Sequence, residues 1–371
     1  MHGTRRLFLL FLGCVYMGAT SVHAAMASDR VTDPLDRPAQ ISVRAQDAMV
    51  TAVARAGERL VAVGERGTIL LSDNNGQTWR QAKRVPVSLL LTGVRFGSAR
   101  KGWAVGHSGV VLHSEDGGDT WVKQLDGNAV AKIALMSAQA AVKAGGDDAE
   151  AKKDLVDAQR LVQDGADKPF LDLLVENDST VIVVGAFGLA LRTEDGGKTW
   201  RPWQSRILGD KGSHLYGIQQ SGNTIYIVGE QGSVFRSTDN GVTLSELTTP
   251  YKGSFFGLSV LSDSQVLVYG LRGNAFASND AGANWQPAKV GTPASLTASL
   301  VLADGAILMA NQAGGLLKSA DHGLTFSIVP VPNPVPIVGM AQAPDGSIVL
   351  AGLRGTSHLP ANSSTLPIGA K

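Results

Sequence analysis

Cysteine is nearly missing from this chain. Among 371 residues the single one is Cys14, and it falls in an N-terminal stretch that reads as a removable leader. The mature chain would then have no disulfide, no thiolate nucleophile and no cysteine metal site. An excess of either charge is missing too: 33 Lys and Arg stand against 32 Asp and Glu. No global field draws such a chain to nucleic acid or an anionic membrane, so nucleic acid is not an expected partner and any electrostatic contact must be a local patch. Histidines paired for a metal are absent, since His107, His113, His214, His322 and His358 are scattered without His-x-x-x-His spacing. No phosphate loop or dinucleotide fingerprint occurs. On these grounds no metal, cofactor or catalytic residue is expected.

Long hydrophobic runs are also lacking. The N-terminal run from Leu7 to about Ala19 is about 13 residues, too short for a bilayer core of roughly 30 Å. Arg5 and Arg6 precede it and small residues at Ala24, Ala25 and Ala27 follow. This is the layout of a secretory signal peptide, residues 1–27, cut after Ala24 or Ala27, and it implies a periplasmic protein. Thr4-Arg5-Arg6-Leu7-Phe8-Leu9 also fits a twin-arginine leader, so both export routes stay open. Phe11-Leu12-Gly13-Cys14 fits a lipoprotein cysteine poorly, because apolar residues continue beyond it. Residues 28–40 read as a linker.

What the chain does have is glycine, 44 residues of it, set in a repeat. Gly-x-x-Gly begins at Gly64, Gly106, Gly185, Gly229 and Gly270, degrades at Asn311-Gln312-Ala313-Gly314, and returns at Gly352-Leu353-Arg354-Gly355. After most copies comes Ser-x-Asp-x-Gly-x-Thr-Trp, as in Ser114 to Trp121. The central residues are Asn74, Asp116, Asp195, Asp239, Asp280 and Asp321, spaced by 42, 79, 44, 41 and 41. Repeats of about 40 to 50 residues built from short strands make β-propeller blades. The expected fold is all-β, a seven-bladed propeller of four-stranded antiparallel blades over residues 41–359.

One copy spells out the blade. Leu91–Phe96 alternates apolar and polar residues and reads as strand a, Trp103–Val105 as strand b, Val110–His113 as strand c and Thr120–Lys123 as strand d. The long interval holds an insertion, residues 124–168, between the second and third copies. Ala129–Ala144 and Asp148–Gln163 show apolar residues at helical spacing (Ile133, Met136, Ala140; Leu155, Ala158, Leu161) and no Pro, which predicts a helical hairpin. The seventh copy loses its polar loop at Leu359-Pro360, so its fourth strand is expected from Ile41-Ser42-Val43-Arg44. Pro330–Pro336 reads as an extended connector and residues 360–371 as a loose tail.

The short polar side chain at each loop centre can accept hydrogen bonds from its own loop. One residue type at one geometric position in six copies is structural: catalysis needs different residues converging on one place, and calcium needs several oxygens per loop. These loops resemble the Asp-box of sialidases, sortilin-type receptors and related propellers. The b–c turns and d–a connections of a meander share one face, so the Gly-x-x-Gly turns and the helical insertion face the same way. Three of the turns carry arginine, Arg66, Arg272 and Arg354, a candidate cationic rim for carboxylate or phosphate groups, with Glu65 and Glu230 offsetting it.

With Gly102-Trp103-Ala104-Val105-Gly106 and the two Asp-Gly-Gly-x-Thr-Trp loops (Asp116 to Trp121, Asp195 to Trp200), the chain over roughly residues 40 to 358 resembles the photosystem II stability/assembly factor family. The resemblance implies a non-enzymatic propeller that binds a newly made membrane-protein subunit through an arginine patch, linked in that family to photosynthesis. By placement, Arg66, Arg272 and Arg354 are the positions most like that patch. The helical insertion and the degraded sixth turn mark a divergent bacterial relative whose partner is a membrane protein or envelope complex subunit, with the chain itself monomeric. A sialidase-like hydrolase would need a Phe/Tyr-Arg-Ile-Pro signature, which is absent, and an acidic partner for Tyr216, Tyr226, Tyr251 or Tyr269, none of which shows one in the sequence. A receptor module for a soluble ligand is the remaining alternative.

Overall fold

Runs such as Trp103–Val105, Val181–Gly185 and Ile307–Asn311 are apolar without alternation because both of their faces are covered. They are the second strands of their sheets, and every residue of Gly102–Gly106, Val181–Gly185 and Ile307–Asn311 is buried. The structure is a computed structural model that describes residues 32–145, 148–204, 207–208, 212–331 and 334–361. The leader with its cleavage sites, and the tail from residue 362, lie outside the described residues.

Seven antiparallel sheets follow one another in chain order. Their innermost strands, a, are Val50–Ala56, Leu91–Phe96, Phe170–Val175, Leu215–Ser221, Phe255–Val260, Leu296–Val301 and Ile337–Gln342. Each lies beside the next, and Ile337–Gln342 lies beside Val50–Ala56. Ala341, Val349 and Ala351 of the seventh sheet share one apolar cluster with Val50, Val53, Leu60 and Trp79 of the first. This is the arrangement of a seven-bladed propeller, as the repeat predicts.

Every inner strand carries the same irregularity. Its pairing with strand b slips by one at the second residue, as between Leu91 and Gly93, Leu215 and Gly217, or Phe255 and Gly257. The bulged residues are Thr51, Thr92, Leu171, Tyr216, Phe256, Thr297 and Val338. A bulge re-aims the extra side chain. All seven line a central cavity of about 170 Å³.

The threonines staple blades. Thr51 Oγ1 donates to Leu91 O of the next blade (2.6 Å), Thr92 Oγ1 to Phe170 O (2.7 Å) and Thr297 Oγ1 to Ile337 O (2.5 Å). Connections between blades also cover sheet edges. Ile207–Leu208 adds a fifth, parallel strand outside Leu244–Glu246, and single parallel bridges join Arg84 to Thr120 and Lys289 to Thr325.

Blade 7 departs from expectation. It has three strands, ending with Gly355–Leu359, and Ile41–Arg44 does not pair beside it. The segment is held by blade 1 instead: Ser42 N donates to Gln81 Oε1 (3.0 Å) and Gln81 Nε2 to Gln40 O (2.9 Å). With both hydrogen-bonding partners on the blade 1 side, Val43 is left fully exposed, and the chain turns through a short 3-10 helix, Ala45–Asp47, before strand a.

The insertion is two helices, α1 (Gly127–Gly145) and α2 (Ala149–Asp164). It starts after strand d, which runs Val122–Leu125 rather than ending at Lys123. Asp148 caps α2 by accepting from Glu150 N at 3.0 Å. The seam between the helices uses Ala134, Ala138 and Ala158, with Leu135, Leu155 and Leu161 beside them. Met136 and Ala140, which the helical spacing also picks out, face water. Small side chains let the helices approach closely, and the alanine stripe at i, i+4 takes the contact. Val130 docks α1 onto the core between blades 2 and 3.

Candidate functional site

The Gly-x-x-Gly turns stand where strand a begins. The amide of the first intervening residue donates to the carbonyl just before strand a: Glu65 N to Met49 O (3.1 Å), Glu230 N to His214 O (3.1 Å), Leu271 N to Ser254 O (3.0 Å). Turns and bulged residues therefore frame one end of the central cavity. In five copies the second intervening residue has φ between 54° and 58°: Arg66, Ser108, Phe187, Gln231 and Arg272. The closing glycine is needed for contact as well as conformation. At Gly232 (φ +77) a Cβ would stand 1.9 Å from Tyr251 O.

Two copies differ. In blade 6, Asn311 stands at the first glycine position and its Oδ1 accepts from Ala313 N (3.0 Å) and Gly315 N (2.9 Å), so a side chain closes this turn. In blade 7, Gly352 pairs directly with Gly355 and strand c begins at once. Arg354 thus sits in a tight two-residue link, and it lacks the positive φ of Arg66 and Arg272.

Arg66, Arg272 and Arg354 are all exposed. Among the described residues, none of the three guanidinium groups has an ion-pair partner. The topology sets all three at the b–c end of their sheets. Residues 46–49 run against two of these turns: Met49 O takes Glu65 N, and Gln46 O stands 2.1 Å from where a Cβ on Gly355 would be. The acidic residues of the turns point inward. Glu65 Oε1 accepts from Met49 N (3.2 Å) and Glu230 Oε2 from His214 N (3.0 Å), so each carboxylate caps the start of its own blade. Neither is left to neutralise an arginine.

Inside the cavity stands a charged pair absent from the sequence reading. Asp172 Oδ1 lies 3.4 Å from Arg95 Nη2 of the preceding blade, and Asp172 Oδ2 accepts from Ile218 N of the next blade at 3.1 Å. Burial pushes the Asp172 carboxyl up, with Arg95 opposing. Burial also raises the Tyr269 phenol to about 12. At about 170 Å³ the cavity is smaller than the roughly 300–1,000 Å³ of small-molecule sites.

Aromatic rings on the same rim escaped the sequence reading as a group, and Tyr216, read there without an acidic partner, has one in Glu230 (3.4 Å). Phe187 meets His214 (centroids 4.7 Å), His214 meets Tyr216 (6.2 Å) and Tyr216 meets Phe256 (5.5 Å, edge to face). Aligning the copies would have exposed them. Phe187 fills a turn position that holds Ser, Gln or Arg in the neighbouring blades, and Tyr216 and Phe256 fill the bulge position that holds Thr in blades 1, 2 and 6.

On the opposite face the six polar loops share one geometry. In blade 4, Asp239 Oδ1 accepts from Ser237 Oγ (2.6 Å) and Thr243 N (3.0 Å), Oδ2 accepts from Thr243 Oγ1 (2.7 Å), and Ser237 Oγ takes Gly241 N (2.8 Å). Asn74, Asp116, Asp195, Asp280 and Asp321 repeat it. Loop hydroxyls, side-chain amides and backbone amides hold the carboxyls of Asp195, Asp239 and Asp280 at about 2. Among the described residues no group of three His, Cys, Asp or Glu side chains could hold one metal ion.

The model of the photosynthesis system II assembly factor YCF48 family matches residues 152–310. Over that stretch the chain is similar to the YCF48 family of BNR propellers. The YCF48-like stretch runs from α2 to strand b of blade 6 and includes Phe187, Tyr216, Phe256 and Arg272, while Arg66 and Arg354 lie outside it. Solved structures share the fold. A YCF48 bound to a D1 peptide is 17% identical with a TM-score of 0.61, covering 89% of this chain and 97% of that one. YCF48 from Cyanidioschyzon merolae is 13% identical with a TM-score of 0.61, covering 88% and 99%. A GH74 xyloglucanase from Xanthomonas campestris is 14% identical with a TM-score of 0.59, covering 88% of this chain and 54% of its own. No curated protein matches the chain in sequence.

Proposed function

We propose that this chain is a non-enzymatic, exported propeller that binds a membrane-protein partner and assists the assembly or stability of an envelope complex. The observation that carries the reading is the YCF48 match, joined to three exposed arginines without ion partners on the turn face. A YCF48 solved with a D1 peptide supports a polypeptide as the partner class. Arg66, Arg272 and Arg354 are the proposed contacts for its carboxylates, since guanidinium groups bind carboxylates with two parallel hydrogen bonds. The chain acts as a monomer at the periplasmic side of the inner membrane, after removal of residues 1–24 or 1–27.

The cavity offers one carboxylate, Asp172, already engaged with Arg95 and Ile218 N, where glycoside hydrolysis uses two. Co-purification of membrane proteins with the tagged chain tests the reading. Substituting R66E, R272E and R354E together should abolish capture while the thermal unfolding midpoint stays unchanged. Unchanged capture would sink the arginine face, and turnover of glycosides by the purified protein would sink the non-enzymatic reading.

A further inference from the structure

A repeat protein contains its own controls, because seven blades meet the same backbone demands and a blade that answers differently does so for another reason. On the turn face the aromatic deviations gather in blades 3 to 5. The second intervening position of the turn has positive φ, a conformation that penalises any Cβ and most of all a bulky side chain. Blades 2 and 4 fill it with Ser108 and Gln231; blade 3 fills it with Phe187 (φ 57), which is 60% exposed. Neither backbone preference nor burial explains a phenylalanine there. The bulge position, Leu171 in blade 3 and Val338 in blade 7, turns aromatic in blades 4 and 5. Thr51, Thr92 and Thr297 use it to staple neighbouring blades, whereas Tyr216 and Phe256 give up that bond and present rings at the cavity mouth.

The rings form a track held from below. Phe187 N donates to His214 Nδ1 (3.3 Å), and Glu230 takes His214 N (3.0 Å) and Tyr216 OH (3.4 Å). Lys168 Nζ lies 5.3 Å from the Phe187 ring centre at the foot of the helical insertion. Its charge is taken up by Asp164 (2.9 Å) and Asp167 (2.7 Å). A cation left open is Arg272, in the blade 5 turn whose Leu271 N binds Ser254 O, two residues before Phe256. So an aromatic track ends beside a guanidinium without a counter-ion.

We propose that this sector is a docking track for an extended acidic polypeptide segment, seating apolar side chains against Phe187, Tyr216 and Phe256 and a carboxylate at Arg272. The proposal rests on the turn face being the partner face, and adds the sector and the chemistry of the bound segment. The rings supply rigid apolar area at small entropic cost, as binding hot spots do. The cavity beneath, at about 170 Å³, is below the size of small-molecule sites, so the segment lies across the mouth.

Fluorescence anisotropy with three labelled octapeptides tests this: alternating Asp and Phe, alternating Asp and Gly, and alternating Asn and Phe. The Asp–Phe peptide should bind the full chain, with the other two at least about tenfold weaker. Phe187→Gly removes the ring at a position where glycine is the preferred residue. It should keep the wild-type melting temperature and weaken Asp–Phe binding about tenfold. Arg272→Glu should weaken it at least as much. No binding of the Asp–Phe peptide at about 1 mM, or binding that Phe187→Gly leaves intact, overturns the proposal. If the Asp–Gly peptide binds equally well and the triple arginine variant abolishes it, the arginine face stands and the aromatic track falls.

Discussion

Asp116 separates a structural loop from a chemical one. Its carboxylate accepts three hydrogen bonds from its own loop, from Ser114 Oγ (2.9 Å), Thr120 N (2.9 Å) and Thr120 Oγ1 (2.7 Å). Burial works against the charge, but these donors outweigh it and hold the carboxyl below its usual range. Alanine removes all three acceptors. Thr120 is only half-buried, so water replaces part of the loss, and each bond is worth nearer 1 than 3 kcal/mol, about 2–3 kcal/mol together. The loss reaches the core because the loop anchors Trp121, whose indole N–H donates to Gly118 O (2.8 Å) and whose ring is buried between blades 1 and 2. Asparagine should behave differently. Blade 1 carries Asn74 at this place, and its amide keeps the contacts: oxygen to Ser72 Oγ (3.0 Å) and Thr78 N (2.9 Å), nitrogen to Thr78 Oγ1 (2.9 Å). Asp116→Asn should therefore cost under about 1 kcal/mol. Urea unfolding followed by tryptophan fluorescence measures both variants. Equal loss from asparagine and alanine would show that the charge itself is required, as a metal ligand would need, and no loss from alanine would empty the loop of its structural role.

The remaining predictions are shorter. The carboxyls of Asp195, Asp239 and Asp280 sit at about 2 in the fold and near 3.9 when unfolded; their stabilisation is complete above about pH 5 and lost as pH falls from 4 through 2. Stability that climbs below pH 4 in an acid series of unfolding midpoints would contradict this. Asp172→Ala leaves Ile218 N buried without its acceptor and Arg95 without its partner, and should cost about 2–3 kcal/mol by urea unfolding, discounted because Arg95 is half exposed; Asp172→Asn should cost less, and the reverse order would discredit the cross-blade bond. Gly232→Ala meets Tyr251 O at 1.9 Å and a φ of +77, so it should lose more than about 2 kcal/mol, and a wild-type midpoint would show the turn to be pliable.

Blade number, strand order and the helical insertion were legible because the repeat writes them several times over. Val181–Gly185 is apolar on both sides because other blades lie on both sides, and Gly-x-x-Gly marks positive φ wherever glycine is the cheapest residue. Errors arose where the repeat breaks. Ile41–Arg44 alternates like a strand, yet Gln81, a single side chain on blade 1, decides where it goes. Gly352–Gly355 repeats the turn phrase but forms a tighter link, since the phrase does not encode where strand c begins. The helical spacing predicts the hairpin but not its seam, which uses Ala134 and Ala138 while Met136 faces water, because small side chains let the helices approach closely. The aromatic track and the Arg95–Asp172 pair were invisible for a different reason. They join residues of different blades, far apart in the sequence, which only the placing of the inner strands side by side brings together.

Site-specific photo-crosslinking in cells that carry the gene natively tests the central claim most directly. A photoreactive residue at Gln231, exposed in the blade 4 turn, probes the turn face, and one at Val242, exposed in the loop of Asp239, probes the other. Adducts with a membrane protein from position 231, lost when the three arginines become glutamate, are the expected result. Adducts arising from position 242 alone, or from both positions regardless of the arginines, would contradict it.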